Sequence, residues 1–351
     1  MEIIDKEKFD KPQLFKFQRA ARTDKGVSAM RQIVSCKFPE NFPENIERIN
    51  AEMPPEIRLL AARRTIPSFD SRNFVDFRTY SYTFPTYAIS PPKTHLSTYY
   101  RIDKQLIEHC NELLAMYKGT HNFHNFTSGK APNDNSSMRY IIDISCSQPF
   151  QYEEMEFAKI IVRGQSFMLH QIRKMIGLVF AIMRGYGDPS KIERSFLGKK
   201  QDIPIAPSLG LLLECVHYDT YNRKHAGDGV REPLLWDEHN QEIEDFKHKF
   251  IFSNLYKEEK QSFSMMNWLD TLQLHSAHMM ENDKKLAEEQ QGDLKDDQTA
   301  DKANGDGESL SNDEPAAVDR ADEAEAENEP KVVVDSKSSD EPEEIVVKTL
   351  N

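Results

Sequence analysis

The chain has 351 residues, of which 38% are hydrophobic, and a formal net charge of −13 at pH 7. This length suffices for one large domain or two moderate ones, and no apolar run approaches the length that spans a membrane. Residues 281–351 hold 23 acidic and 8 basic residues, which leaves 35 acidic and 37 basic residues elsewhere. The acidic total therefore does not exclude a polyanionic partner for the rest of the chain.

Residues 281–351 are rich in Glu, Asp, Ala, Lys and Ser and show no sustained apolar period. Such a composition buries too little surface to offset the entropy lost on ordering, so we predict a disordered acidic tail. Two roles stay open for it. The tail either competes with a polyanionic partner for a basic groove or is a solvated extension with no specific role, and its composition favours the second.

The cysteines at positions 36, 110, 146 and 215 form no C-x-x-C pair and follow no secretory signal. We therefore expect reduced, structural thiols in an intracellular protein. The pairs His121/His124 and Cys215/His217 have no second ligand pair at a supporting spacing. No metal site is predicted from them.

Hydrophobic periodicity and turn residues predict strands and helices in an irregular order. In the first half of the chain they are strands at 14–19 and 32–38, a helix at 43–52, a strand at 78–84 and a helix at about 103–117. In the second half they are strands near 139–147 and 155–163, a helix from about 167 to 185, a strand at 210–218 and a few helical turns within 231–280. Trp236 and Trp268 are expected to anchor the last region. Without a regular strand-helix alternation, the pattern predicts an α+β domain with a mainly antiparallel sheet.

Asp24 lies in the connection between the first two predicted strands, in the run Arg22-Thr23-Asp24-Lys25-Gly26. Gly26 can adopt a positive φ, which indicates a turn. The flanking cations favour the ionised form of the carboxylate. A general base, a nucleophile and a plain Asp turn all fit these residues, and the turn is favoured when they are taken alone.

Four sequence blocks, which occur in the same order and spacing as in a known family, favour a catalytic role for Asp24 over a plain turn. They are Ala21–Ala29, Arg78–Tyr82, Gly119–Phe123 and Phe167–Gly177. The first resembles the signature loop of the TruA-type tRNA pseudouridine synthases, and its Lys-Gly-Val-Ser form is similar to their eukaryotic branch. The resemblance covers residues 12–280. It implies a pseudouridine synthase fold, with a central sheet flanked by helices and a central RNA-binding cleft, and it requires no cofactor and no metal.

The resemblance also implies roles for single residues. Asp24 matches the catalytic aspartate that attacks the target nucleoside. Tyr80 matches the tyrosine that stacks on the base and takes part in proton transfer, although a core aromatic also fits. Arg173 matches the basic residue that pairs with the aspartate, where a surface arginine is the alternative. Expected RNA-binding residues are Arg22, Lys25, Arg78, His121, Phe123 and His170.

Several of these residues keep a second interpretation. Arg22 resembles the residue that enters the helical stack when the uridine is flipped, but it also fits an ordinary phosphate contact. His121 and Phe123 either shape the cleft or only pack. Further candidates for phosphate contacts, each of which could equally be a solvated surface charge, are Arg58, Arg63, Arg64, Arg72, Lys130, Arg139 and Arg163.

The expected organisation is a catalytic domain at 1–230, a helical extension packed on it at 231–280, and the acidic tail. We expect a monomer that isomerises uridine to pseudouridine in tRNA, located in the nucleus, the mitochondrion or both. The resemblance leaves messenger RNA and small nuclear RNA open as further substrates. Family members carry a strand and helix ahead of the aspartate loop, so an N-terminal strand is expected to be missing here. A tRNA-binding or chaperone form with impaired catalysis is the alternative.

Overall fold

Two mainly antiparallel sheets organise the computed structural model, which describes residues 11–38, 42–272 and 344–350. The strands are β1 Gln18–Arg19, β2 Ser28–Ala29, β3 Gln32–Lys37, β4 Arg58–Thr65, β5 Phe77–Pro85, β6 Gly119–Asn122, β7 Met138–Cys146, β8 Phe150–Tyr152, β9 Met155–Gly164, β10 Leu211–His217 and β11 Glu344–Leu350. The α-helices are α1 Ile46–Glu52, α2 Lys104–Ala115, α3 Gln171–Met183, α4 Ser190–Arg194, α5 Asp219–His225, α6 Asn240–Phe246, α7 Ser253–Ser262 and α8 at 264–272. A π-helical segment, Lys247–Phe252, joins α6 to α7.

The larger sheet has seven strands in the order β2-β10-β5-β9-β7-β6, with β8 paired to β9. β2 runs parallel to β10, and the other pairs are antiparallel. The predicted α+β class with a mainly antiparallel sheet is confirmed. β5 lies between β9 and β10, so its side chains are well placed to be buried on both faces of the sheet.

Helix α3 forms the centre of the core against β5. The rings of Phe84 on β5 and Phe180 on α3 lie 4.8 Å apart, and both side chains are fully buried. The helix ends at Met183, and Gly185, two residues further on, has a φ of 76° that allows the Tyr186 N–H to donate back to the Ala181 carbonyl at 2.8 Å. The predicted end at about residue 185 is therefore confirmed to within two residues.

The predicted start of the same helix at 167 is wrong, because α3 begins at Gln171. His170 has a left-handed backbone conformation with φ of 63°, which interrupts the helix before it can extend toward Phe167. The Gln171 side chain also accepts a hydrogen bond from the Met168 N–H at 2.9 Å. The apolar residues Phe167 and Met168 continued the helical period in the sequence although they lie in a turn.

The smaller sheet has the strand order β1-β3-β11-β4. β11 is antiparallel to both neighbours, so that Val347 pairs with Val34 on one side and with Ala62 on the other. The predicted disorder of 281–351 is wrong for residues 344–350, and 281–343 lie outside the described residues. The acidic composition of the whole tail obscured the short run Ile345-Val346-Val347, whose β-branched side chains favour a strand.

Other predicted boundaries change locally. The predicted strand at 14–19 is reduced to β1, because Pro12–Phe15 form a 3-10 turn and Lys16 has a φ of 49°. The region after α5 packs on a separate apolar cluster, in which Ile243 and Phe246 of α6 meet Met30, Leu60 and Leu212. Trp236 is buried, and the Trp268 ring lies 6.3 Å from that of Phe180.

No helix within the described ranges is long and apolar enough to cross a membrane.

Candidate active site

The Asp24 loop is a tight turn between β1 and β2. The Val27 N–H donates to the Asp24 carbonyl at 3.0 Å, and Gly26 has a φ of 81°. A turn that needs positive φ at its third position selects glycine there. An added Cβ on Gly26 would also lie 2.8 Å from the hydroxyl oxygen of Ser208. Both constraints fix the turn that presents Asp24, as the sequence predicts.

Gln32 on β3 holds the segment that leads into this loop. Its side-chain Oε1 accepts from the Ala21 N–H at 3.2 Å, and its Nε2 donates to the Ala21 carbonyl at 3.0 Å. Gln32 is buried, so these bonds are shielded from water. The root of the Asp24 loop is therefore fixed by a side chain eight positions further along the chain.

Asp24 and Arg173 form an ion pair at the start of α3. The Arg173 Nη1 lies 3.2 Å from Asp24 Oδ2, and the side chains of both residues are 16% exposed. His170 Nε2 lies 3.7 Å from the same oxygen. Within the described ranges, no donor contacts Asp24 Oδ1. One carboxylate oxygen is thus held by two basic side chains while the other is left available to a substrate.

Arg173 is itself oriented by the loop before β10. Its Nε donates to the Ala206 carbonyl at 2.7 Å, while the Ala206 N–H donates to the Arg173 carbonyl at 3.1 Å. Gly177, one turn further along α3, makes this approach possible. A Cβ at Gly177 would lie 2.3 Å from the Pro204 carbonyl oxygen and 3.2 Å from the Ala206 nitrogen.

Gly177→Ala is therefore expected to destabilise the protein by about 1 to 3 kcal/mol, because backbone atoms of the facing loop must move. The substitution should also lower the rate of any reaction that depends on Asp24, since the Ala206 carbonyl that orients Arg173 moves with that loop. Urea unfolding and single-turnover rates measure the two effects. Gly198→Ala is the matched control, because an added Cβ there meets no atom within 4 Å. Equal stability of Gly177→Ala and the parent would contradict the expectation.

Tyr80 on β5 lies at the base of the same cleft. It is 6% exposed, and its ring meets Phe167 edge to face at 5.3 Å between centroids. Burial raises the pKa of the Tyr80 hydroxyl to about 12, an effect that Arg78 opposes and Asp24 reinforces. The hydroxyl is therefore neutral near pH 7, and any proton transfer through it begins from the protonated form.

These residues line a cleft of about 820 Å³, a volume within the usual range of ligand sites of about 300 to 1,000 Å³. Its lining contains five arginines and one carboxylate, that of Asp24. The arginines are Arg19, Arg22, Arg72, Arg78 and Arg173. Such an excess of positive charge suits a polyanion. Arg22 and Thr23 also line a second cavity of about 510 Å³.

The structure separates the remaining predicted residues. Arg22, Arg78 and His170 line the Asp24 cleft, and Lys25 is exposed beside Asp24. The expectation that Phe123 binds RNA is wrong, because its side chain is fully buried. Its ring lies in an aromatic cluster with those of Phe126 and Phe196.

His121 is not among the residues that line the cleft. Its ring stacks on Phe196 at 4.2 Å, and its Nε2 lies 2.9 Å from the Lys118 carbonyl oxygen. Its predicted contact with RNA stays a prediction.

Sequence reasoning missed Gln32, Gln171, Phe17 and Arg19 as residues of the site or of its support. Phe17 and Arg19 line the cleft just before the recognised loop, and the Phe17 side chain is 50% exposed. An exposed aromatic next to an arginine is a usable signal for RNA binding. Gln32 and Gln171 gave no such signal, because they bind backbone groups that every residue possesses.

Comparison with known proteins shows what part of the chain is similar to. Residues 113–219 match the family model described as tRNA pseudouridine synthase. Over these residues the chain is similar to that family, in agreement with the resemblance of its four sequence blocks.

Individual relatives match a larger share of the chain than the family model does. The chain is 46% identical over 261 residues to a mouse protein named "Pseudouridylate synthase 1 homolog", covering 74% of this chain and 62% of the mouse protein. Its human counterpart is 47% identical, with 74% and 61% covered. "tRNA pseudouridine synthase 1" of Yarrowia lipolytica is 34% identical, with 73% and 64% covered. The chain thus spans about three fifths of the length of the curated relatives it matches.

Proposed function

We propose that this protein isomerises uridine to pseudouridine in tRNA, within an RNA-binding cleft centred on Asp24. The observation that carries the proposal is the arrangement of Asp24, whose Oδ2 is held by Arg173 while Oδ1 has no donor within the described ranges. An ionised carboxylate with one free oxygen is suited to nucleophilic or base chemistry. The names and the family of the matched relatives support uridine as the target.

The reaction exchanges one bond for another without an external reactant. The bond between C1′ of the ribose and N1 of uracil breaks, and a bond between C1′ and C5 forms. The proton on C5 is removed, and N1 gains one, so atoms and electrons balance. In this scheme Asp24 Oδ1 attacks the nucleoside, while the hydrogen bond from Arg173 to Oδ2 holds the carboxylate in its orientation. Tyr80, whose hydroxyl is neutral near pH 7, stacks on the base and relays the proton.

Access to a stacked uridine requires base flipping, which costs a few kcal/mol of stacking energy. Arg22 is exposed and lines both the cleft of Asp24 and the second cavity, so in this proposal it is the residue that enters the space that the base leaves in the RNA stack. Its insertion into the stack would offset part of this cost. The surrounding arginines would hold the phosphates on either side of the flipped nucleotide.

The site requires one copy of the chain, because Asp24, Tyr80 and Arg173 all line the same cleft. A monomer is therefore part of the proposal. The nucleus, the mitochondrion or both are proposed as the location, and messenger RNA and small nuclear RNA as further substrates. The locations and the further substrates follow from the family resemblance. Cell fractionation tests the locations, and assays with each class of RNA test the substrates.

The test uses unmodified tRNA carrying tritium at C5 of uridine. Because C5 must lose its hydrogen when it bonds to C1′, pseudouridine formation releases tritium to water. We expect the parent protein to release tritium. Nucleoside analysis of the same tRNA should then identify pseudouridine. Binding of tRNA without release would instead favour the alternative of a tRNA-binding protein with impaired catalysis.

A further inference from the structure

Arg78 joins the two chain segments that carry the catalytic groups. Its Nη2 donates to the Ala20 carbonyl at 2.8 Å, and its Nη1 donates to the Gln165 carbonyl at 3.0 Å. Ala20 lies four positions before Asp24. Gln165 precedes the turn that carries His170 and leads into α3. Since β5 also carries Tyr80, one side chain connects the three elements around the cleft.

The Ala20 carbonyl depends on this contact. Every other backbone group of Ala20 and Ala21 is already engaged, because the Ala20 N–H donates to the Ile33 carbonyl at 2.9 Å and Gln32 holds Ala21. Arg78 supplies the donor that Ala20 lacks. Without it, a carbonyl at the root of the Asp24 loop would lose its partner, which costs free energy in a partly buried place.

The surroundings of Arg78 differ from those of a phosphate contact. No carboxylate forms an ion pair with Arg78 within the described ranges, and its guanidinium is partly buried. This burial lowers the pKa of Arg78 from its ordinary value, with Arg72 acting in the same direction. Two of its nitrogens donate to backbone carbonyl oxygens of the protein, in one partly buried and one exposed hydrogen bond. A phosphate that took these donors would release one or both of the segments they hold.

We infer that Arg78 is a positioning residue that holds the Asp24 loop and the turn before α3 at their working separation. This inference rests on the proposed function for its effect on rate. The contact is specific to the guanidinium, because its two donors diverge toward two acceptors at fixed angles. A lysine at position 78 keeps the charge but cannot make the same pair of bonds.

The experiment compares Arg78→Lys and Arg78→Met with Arg72→Met. Arg72 is an exposed arginine that lines the same cleft, so its loss reports the effect of removing one cleft cation. Both Arg78 variants are expected to lower the single-turnover rate at saturating tRNA by about 10²-fold, the size reported for an ångström-scale misplacement of reacting groups. Arg78→Lys should keep the tRNA affinity of the parent and its salt dependence.

The outcome for a phosphate contact is different. Arg78→Lys would then turn over at the parental rate, and Arg78→Met would weaken tRNA binding and reduce the salt slope by about 1, as Arg72→Met is expected to do. That pattern would overturn the inference.

A second measurement does not depend on catalysis. Amide hydrogen exchange of the RNA-free protein should be faster in Arg78→Lys at residues 20–28 and 165–170, while exchange in α2 stays at the parental level. Unchanged exchange in both segments would also overturn the inference. Absence of pseudouridine with the parent protein would contradict the proposed function alone, because the exchange data still report the contact.

Discussion

Asp24→Asn is expected to abolish pseudouridine formation while tRNA affinity stays close to that of the parent. The amide keeps the shape of the side chain but removes the carboxylate oxygen that attacks the nucleoside in the proposed mechanism. It also removes the ion pair with Arg173, which lies 3.2 Å away. The basic lining of the cleft is unchanged, so phosphate contacts should persist. Tritium release and a tRNA binding assay measure the two quantities.

A matched variant separates the site from a general effect of charge. Asp143 lies on β7, where its side chain forms an exposed ion pair with Lys118. Asp143→Asn makes the same chemical change outside the cleft and should keep the parental rate. Asp24→Ala guards against recovery of aspartate by deamidation. Turnover by Asp24→Asn above about one thousandth of the parental rate would refute the assignment of Asp24 as nucleophile.

Tyr80→Phe is expected to bind tRNA normally and to lose about 10²- to 10⁴-fold in rate, the usual contribution of a group that transfers a proton. The ring and its contact with Phe167 remain, so stacking should survive. With its pKa raised to about 12, the Tyr80 hydroxyl of the parent stays protonated from pH 6 to 9. Deprotonation of Tyr80 should therefore add no alkaline limb to the rate profile in that range.

Tyr82→Phe provides the comparison for Tyr80. Tyr82 lies two positions along the same strand, is fully buried, and donates to the Pro207 carbonyl at 3.0 Å. Its loss should reduce stability by about 1 kcal/mol through the lost hydrogen bond and leave the rate far less affected. Single-turnover rates of both variants decide the point. Equal rates for Tyr80→Phe and the parent would leave Tyr80 with a packing role.

The parts of the site that follow from local chemistry could be predicted from the sequence. Gly26 indicates the turn that presents Asp24, because few other residues adopt a φ near 81°. The apolar period of α3 and the glycine at its end indicate the helix that carries Arg173. The pairing of Arg173 with Asp24 could not come from these patterns, since the two residues are 149 positions apart. It came from the family resemblance.

The rest depends on long-range contacts of groups that all residues share. Arg78 and Gln32 bind backbone carbonyl and amide groups of Ala20 and Ala21, and nothing in the side chains of these alanines marks them as partners. Phe123 was mistaken for a cleft residue for a related reason. It is the last residue of a block that resembles the family, but membership of that block does not tell whether a side chain at the end of a strand faces the cleft or the core.

Because β11 lies near the end of the chain, the smaller sheet cannot be completed until almost the whole chain has been synthesised. β4 ends at Thr65, whereas the strand that pairs with it begins at Glu344. During synthesis, the facing edges of β3 and β4 must wait for nearly the whole intervening chain before their shared neighbour exists. Open strand edges are templates for pairing with other molecules, and such distant contacts form late. β3 also supplies Gln32 and Ile33 to the root of the Asp24 loop, so mispairing of its open edge would disturb the loop that carries the proposed nucleophile.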